Sequence, residues 1–140
     1  MTQPRHETLT VSQVMARNIE YADPMASVRQ AMRQMRDRNV SSLVIPRRDP
    51  GDEPAIVDIQ DIGREVIARS RSIDRVDVYE VMTKPALNVP AEMDIKYAVR
   101  MLVRFGQSRA VVVDHDRNVV GIVTLRDMVI AAADLAESPA

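Results

Sequence analysis

The pentapeptide VSQVM, Val11 to Met15, returns as VYEVM, Val78 to Met82, at a shift of 67 positions. The register holds without a gap. SVRQAMRQM (Ser27 to Met35) falls on DIKYAVRML (Asp94 to Leu102), and SSLVI (Ser41 to Ile45) falls on SRAVV (Ser108 to Val112). After one length change in a loop, AIVDIQD (Ala55 to Asp61) lies on GIVTLRD (Gly121 to Asp127) at a shift of 66. Strict identities are few: Val11, Val14, Met15, Ala31, Arg33 and Ser41 recur. The hydrophobic pattern repeats throughout, so the chain is one supersecondary unit written twice.

Each copy reads alike. Ser27 and Asp94 are N-cap types, followed by apolar residues at helical spacing: Val28, Ala31, Met32 and Met35, then Ile95, Ala98, Val99 and Leu102. A short strand follows (Leu43–Ile45; Ala110–Val113), then a polar turn, RRDPGDEP or DHDRN. A second strand (Ala55–Val57; Val119–Val123) runs into a helix, Ile59 to about Ser70 or Leu125 to about Ala136. The expected class is α/β (α+β): tandem β-α-β-β-α units at 8–72 and 73–136, with flexible tails at 1–7 and 137–140. Three short strands with one helical face do not close a core alone, so the copies are expected to pack about a pseudo-two-fold.

Composition removes several function classes. Apolar residues make up 46% of the chain, enough for a buried core, and most of the nine Met fall at core spacing as adaptable fillers. With one Phe, three Tyr and no Trp, platforms for stacking single-stranded nucleic acid are missing. A net charge of −1 gives no general attraction to DNA or anionic membrane. The absence of Cys excludes disulfides, thiolate chemistry and Cys-based zinc sites, and His6 and His115 have no metal-ligand spacing. No run approaches the ~18 apolar residues of a membrane span. A cytoplasmic protein is expected.

The ordered set V-x-x-V-M-T, a Ser- or Asp-capped helix with an internal Ala, a strand ending V-V-D, and G-h-V-T-x-x-D, twice over, resembles the CBS domain. The resemblance covers roughly 8–136 and is closest in the second copy. In the first, Ala55 replaces the Gly, Asp58 replaces the Thr, and a Pro-rich loop lengthens the hairpin. The resemblance implies a regulatory module that binds an adenosine nucleotide (AMP, ADP or ATP) in the cleft between the units. S-adenosylmethionine and dinucleotides belong to the same ligand class. It also implies a homodimer, an unidentified regulated protein and no assigned reaction or required cofactor.

The junction residues fit that role. Gly121 lets backbone approach a ligand or a neighbour. Thr124 sits at the start of a helix, where free N–H groups attract phosphate, and Asp127 could accept from two ribose hydroxyls. The same pair also fits a plain N-cap with a first-turn acid. Arg109 precedes its strand where relatives often carry a phosphate-contacting Arg. By resemblance, adenine falls to backbone around Ile19 and Glu20, with Val40 and Ser41 as one wall. The mirror site is weaker: Ser42 stands in place of Arg109 and Asp58 in place of Thr124, with only Asp61 matching Asp127. The sites are therefore expected to differ.

The last helix, LRDMVIAAADLA, is more apolar than one core requires, which favours a dimer. An alternative function is a ligand-free dimerisation or scaffold module acting through partner contacts. An enzyme finds no support: no activated nucleophile, acid–base pair or glycine-rich phosphate loop is present.

Overall fold

The computed structural model describes residues 8–137. Of the tails expected at 1–7 and 137–140, residues 1–7, with His6, and 138–140 lie outside the described residues. In chain order the elements are α1 (Val11–Val14), α2 (Val28–Arg38), β1 (Ser42–Ile45), β2 (Ala55–Asp58) and α3 (Ile59–Ile62). A π-helical turn (Gly63–Ile67) follows, then α4 (Val78–Val81), β3 (Asn88–Pro90) and α5 (Ile95–Arg104). The last three are β4 (Arg109–Val113), β5 (Val119–Thr124) and α6 (Leu125–Glu137).

The chain divides into two compact units. The first-repeat unit is Ile19–Ala86; the second-repeat unit joins the segment up to Asn18 with the chain from Leu87 onward. They are thus not the two repeats taken whole, and the division at 72/73 is not the spatial one. In the second-repeat unit, the Val11 N–H donates to the Met93 carbonyl at 2.8 Å, and the Ile95 N–H donates to the Leu9 carbonyl at 2.9 Å. The first-repeat unit repeats this pattern 67 positions out of step. There Val78 N–H donates to the Ala26 carbonyl and Val28 N–H to the Val76 carbonyl, both at 2.8 Å. Each V-x-x-V-M helix therefore docks on the long helix of the other copy, because its leading Val, Val11 or Val78, buries completely there.

Both long helices form for the reasons their sequences give. At α2 the Gln30 N–H donates to Ser27 Oγ at 3.2 Å while Gln30 Oε1 accepts the Ser27 N–H at 2.9 Å, a reciprocal cap. The helix ends at Asn39 in the left-handed region, φ 54°. It buries Val28, Ala31 and Met35, and α5 buries Ile95, Ala98 and Leu102. Each unit has its own apolar core. Leu43, Val57, Ile62 and Val66 anchor one; Val89, Leu102, Val112 and Met128 anchor the other.

The second-repeat sheet runs β3-β4-β5, with β3 parallel to β4, β4 antiparallel to β5, and Ala16 bridging Ile122. The first-repeat sheet has only the antiparallel pair β1-β2. Single bridges, Tyr21 to Val44 and Thr83 to Ile56, fill the remaining places. The third strand shrinks to a bridge where Pro24 stands in place of Ala91: the Ala91 N–H donates to the Val113 carbonyl at 3.0 Å, and a proline has no N–H to give.

The helix expected from Ile59 to Ser70 does not run as one α-helix. Ala68 N–H reaches back five residues to the Gly63 carbonyl at 2.8 Å, forming the π turn, and Ser70 has φ 55°. At the other end of the chain α6 extends through Glu137, past the expected end at Ala136.

Candidate functional site

Two strand-to-helix junctions carry the expected site residues, and each lies wholly within one unit. In the second-repeat unit, Arg109 opposes Thr124 across the β4–β5 register. Leu125 N–H donates to the Ser108 carbonyl at 2.8 Å, turning the chain from strand into α6. Thr124 Oγ1 accepts the Asp127 N–H at 3.0 Å, so Thr124 is an N-cap. Capping uses one lone pair; the hydroxyl proton remains a donor. Met128, fully buried, fixes the first turn of α6, while Asp127 points to solvent. Among the described residues the Asp127 carboxylate takes no hydrogen bond or ion pair. Thr124 and Asp127 thus stand at the start of a 13-residue helix, with Arg109 on the adjacent strand in register with Thr124.

The first-repeat junction has the same backbone and different chemistry. Ser42 opposes Asp58, and Ile59 N–H donates to the Ser41 carbonyl at 2.9 Å, the counterpart of the Leu125 bond. Asp58 Oδ1 accepts the Asp61 N–H at 2.9 Å and Asp61 Oδ2 accepts the Asp58 N–H at 3.0 Å. Arg64 Nη2 then donates to Asp61 Oδ1 at 3.0 Å. Asp58 and Asp61 are 9% and 6% exposed, the buried acids of the described chain. Burial pushes the Asp61 carboxyl above the usual carboxylate range, against the Asp58 N–H, and the Asp58 charge adds to the rise. Asp61 matches Asp127 in position and not in environment.

Gly121 resolves in favour of a neighbour. A Cβ there would stand 2.5 Å from Met15 Sδ and 2.9 Å from the Ala16 carbonyl oxygen. Ile19, Glu20, Val40 and Ser41 belong to the first-repeat unit. The Glu20 carbonyl already accepts the Val44 N–H at 2.9 Å, and Val40 N–H donates to the Met35 carbonyl at 3.0 Å. The structure thus groups Arg109, Thr124 and Asp127 in one unit and the other seven expected residues in the other. Sequence reading missed Arg64, although a cation three residues after a helical acid was a readable signal. Among the described residues no group of three or more His, Asp or Glu could hold a metal ion, and no helix is long and apolar enough to cross a membrane.

The family model for the CBS domain matches residues 11–66 and 78–134, most of the chain. The chain belongs to the CBS-domain family. Two curated relatives of this CBS pair are uncharacterised proteins. One, from Methanopyrus kandleri, is 27% identical across 86% of the chain; the other, encoded in a ribosomal RNA operon of Thermofilum pendens, is 33% identical across 84%. The chain spans 61% and 42% of their respective lengths. Among solved structures, a hexameric CBS-CP12 protein from bloom-forming cyanobacteria superposes with a TM-score of 0.86 at 24% identity, covering 94% of this chain and 76% of that one. A Pyrobaculum aerophilum CBS-domain protein complexed with AMP gives 0.78 at 22% identity, covering 92% and 97%. A CBS-domain pair in complex with 5′-methylthioadenosine and S-adenosyl-L-methionine gives 0.77 at 21%, covering 92% and 99%. These likenesses show the shared fold.

Proposed function

We propose that this CBS pair is a regulatory module that binds an adenosine-containing ligand, of the AMP, ADP or ATP class, at the second-repeat junction. The observation that carries the reading is the open Asp127 carboxylate beside the Thr124 hydroxyl, with Arg109 in register opposite. A carboxylate accepts from the vicinal hydroxyls of ribose, a hydroxyl and a helix N-terminus donate to phosphate, and Arg109 neutralises it. AMP and S-adenosyl-L-methionine in related structures support the ligand class. The module's role is to report ligand level to a regulated protein, and no reaction is assigned to it. A thermal-shift screen with AMP, ADP, ATP, adenosine and S-adenosylmethionine tests the reading; no shift with any of them at millimolar concentration overturns it.

A scaffold reading is favoured by one observation: Val129 and Ile130 on α6 are 51% and 43% exposed. Such a face fits a homodimer. Light scattering is expected to give a dimer mass at micromolar concentration, and a monomer mass across that range would remove this reading.

A further inference from the structure

The two junctions share the turn from strand into helix, and sixty-six positions separate Asp58 from Thr124, Asp61 from Asp127, and Arg64, in the π turn, from Ile130, in α6. At the first-repeat junction both carboxylate oxygens of Asp61 accept bonds from within the protein, Oδ2 from the Asp58 N–H and Oδ1 from Arg64 Nη2. The two donors of a ribose diol would each have to share an oxygen with a bond already made, on an acid that is 6% exposed. At the second-repeat junction the corresponding position holds Ile130, which offers no donor, and the Asp127 carboxylate stays open.

We propose that the residue one helical turn after the junction carboxylate, Arg64 in one repeat and Ile130 in the other, determines which junction is open to a ribose-bearing ligand. The inference rests on the adenosine reading above. Ser42 and Asp58 remove the phosphate contacts from the first-repeat junction; Arg64 independently removes the ribose contact. Arg64 keeps a side-chain exposure of 62% while Asp61 keeps 9%, so the guanidinium covers the acid from the solvent side. Glu65 Oε1, 3.2 Å from Arg64 Nε, holds the guanidinium at a second nitrogen.

The test transfers the cation to the open junction, where Ile130 is 43% exposed. Ile130→Arg is compared with Ile130→Met by calorimetry, using adenosine so that no phosphate rewards the added charge. A fall in adenosine affinity of about threefold or more in Ile130→Arg, with none in Ile130→Met and with unchanged melting curves, is expected. Equal or tighter adenosine binding by Ile130→Arg overturns the proposal. A readout without ligand runs alongside: the crystal structure of Ile130→Arg is expected to place its guanidinium within hydrogen-bond distance of the Asp127 carboxylate. A guanidinium turned away from Asp127 overturns the proposal even where wild type binds neither adenosine nor AMP. That latter result, by contrast, counts against the adenosine reading itself.

Discussion

Gly121 and Met15 pass so closely that a methyl group on the glycine would stand 2.5 Å from the methionine sulfur and 2.9 Å from the next carbonyl oxygen. The sulfur belongs to a flexible side chain and can move; the Ala16 carbonyl accepts the Ile122 N–H and cannot. Gly121→Ala should therefore destabilise the second-repeat unit by about 1–3 kcal/mol, the usual cost of overpacking. Gly63→Ala is the matched control. Nothing lies within 4 Å of its Cβ position and its φ is −59°, so a gain of about 0.4–1 kcal/mol is expected. Urea denaturation of the two variants measures both signs.

The exchanged helices make a prediction that sequence order would reverse. Val11 buries in the core containing Val89 and Leu102, and Val78 in the core containing Leu43 and Val57. Each truncation to Ala should cost about 2 kcal/mol from lost burial and the cavity left behind. Hydrogen exchange locates the damage. Val11→Ala should speed exchange in β3, β4 and β5, and Val78→Ala in β1 and β2; effects confined to the reverse sets would refute the exchange.

Two acids of the first-repeat unit should respond to pH with opposite sign. The Arg48 N–H, at 2.9 Å, and the Lys84 ammonium hold the Asp52 carboxyl well below the usual carboxylate range. A lowered folded-state pKa adds stability above the unfolded value near 3.9 and loses it as pH falls through the folded value. The deficit of Asp52→Asn should therefore be full at pH 7 and shrink in acid. Burial raises the Asp61 carboxyl, so its ionisation opposes folding as pH rises through the folded value. Asp61→Asn, which keeps an oxygen for the Asp58 N–H, should melt relatively higher against wild type at pH 7 than near pH 4. Melting curves at both values decide each sign separately.

The repeat, the two capped helices and the paired strands were legible because each rests on local chemistry: a cap residue, an apolar period, a β-branched run. Register was legible too, since Ser42 and Arg109 occupy equivalent places opposite Asp58 and Thr124. The exchange was not. Nothing local to Val11 distinguishes docking on its own copy's helix from docking on the other's; the choice is made by which core closes over it. The π turn after Ile62 was equally hidden, because a helical apolar period tolerates one widened turn. At the first-repeat junction, sequence reading showed Asp58 only as the replacement for Thr124. In the fold its carboxylate caps α3, and Asp61 is satisfied inside the protein. Charge type was readable there, whereas its partners depended on side-chain direction.

Those partners set the expected response of the two junctions to ligand. Charged hydrogen bonds contribute roughly 1.5–3 kcal/mol each, and about 1.4 kcal/mol is a factor of ten in affinity. Asp127→Ala should thus weaken adenosine nucleotides at least about tenfold. Arg109→Ala should weaken AMP more than adenosine, since only the phosphate feels the lost cation. Asp61→Asn should leave affinity within error, because the Asp61 oxygens are already engaged by Asp58 and Arg64. Calorimetry should report one adenosine-nucleotide site per chain for wild type and for Asp61→Asn. Two equivalent sites, or equal losses from the Asp61 and Asp127 substitutions, would show that the inward-facing bonds of Asp61 do not close its junction.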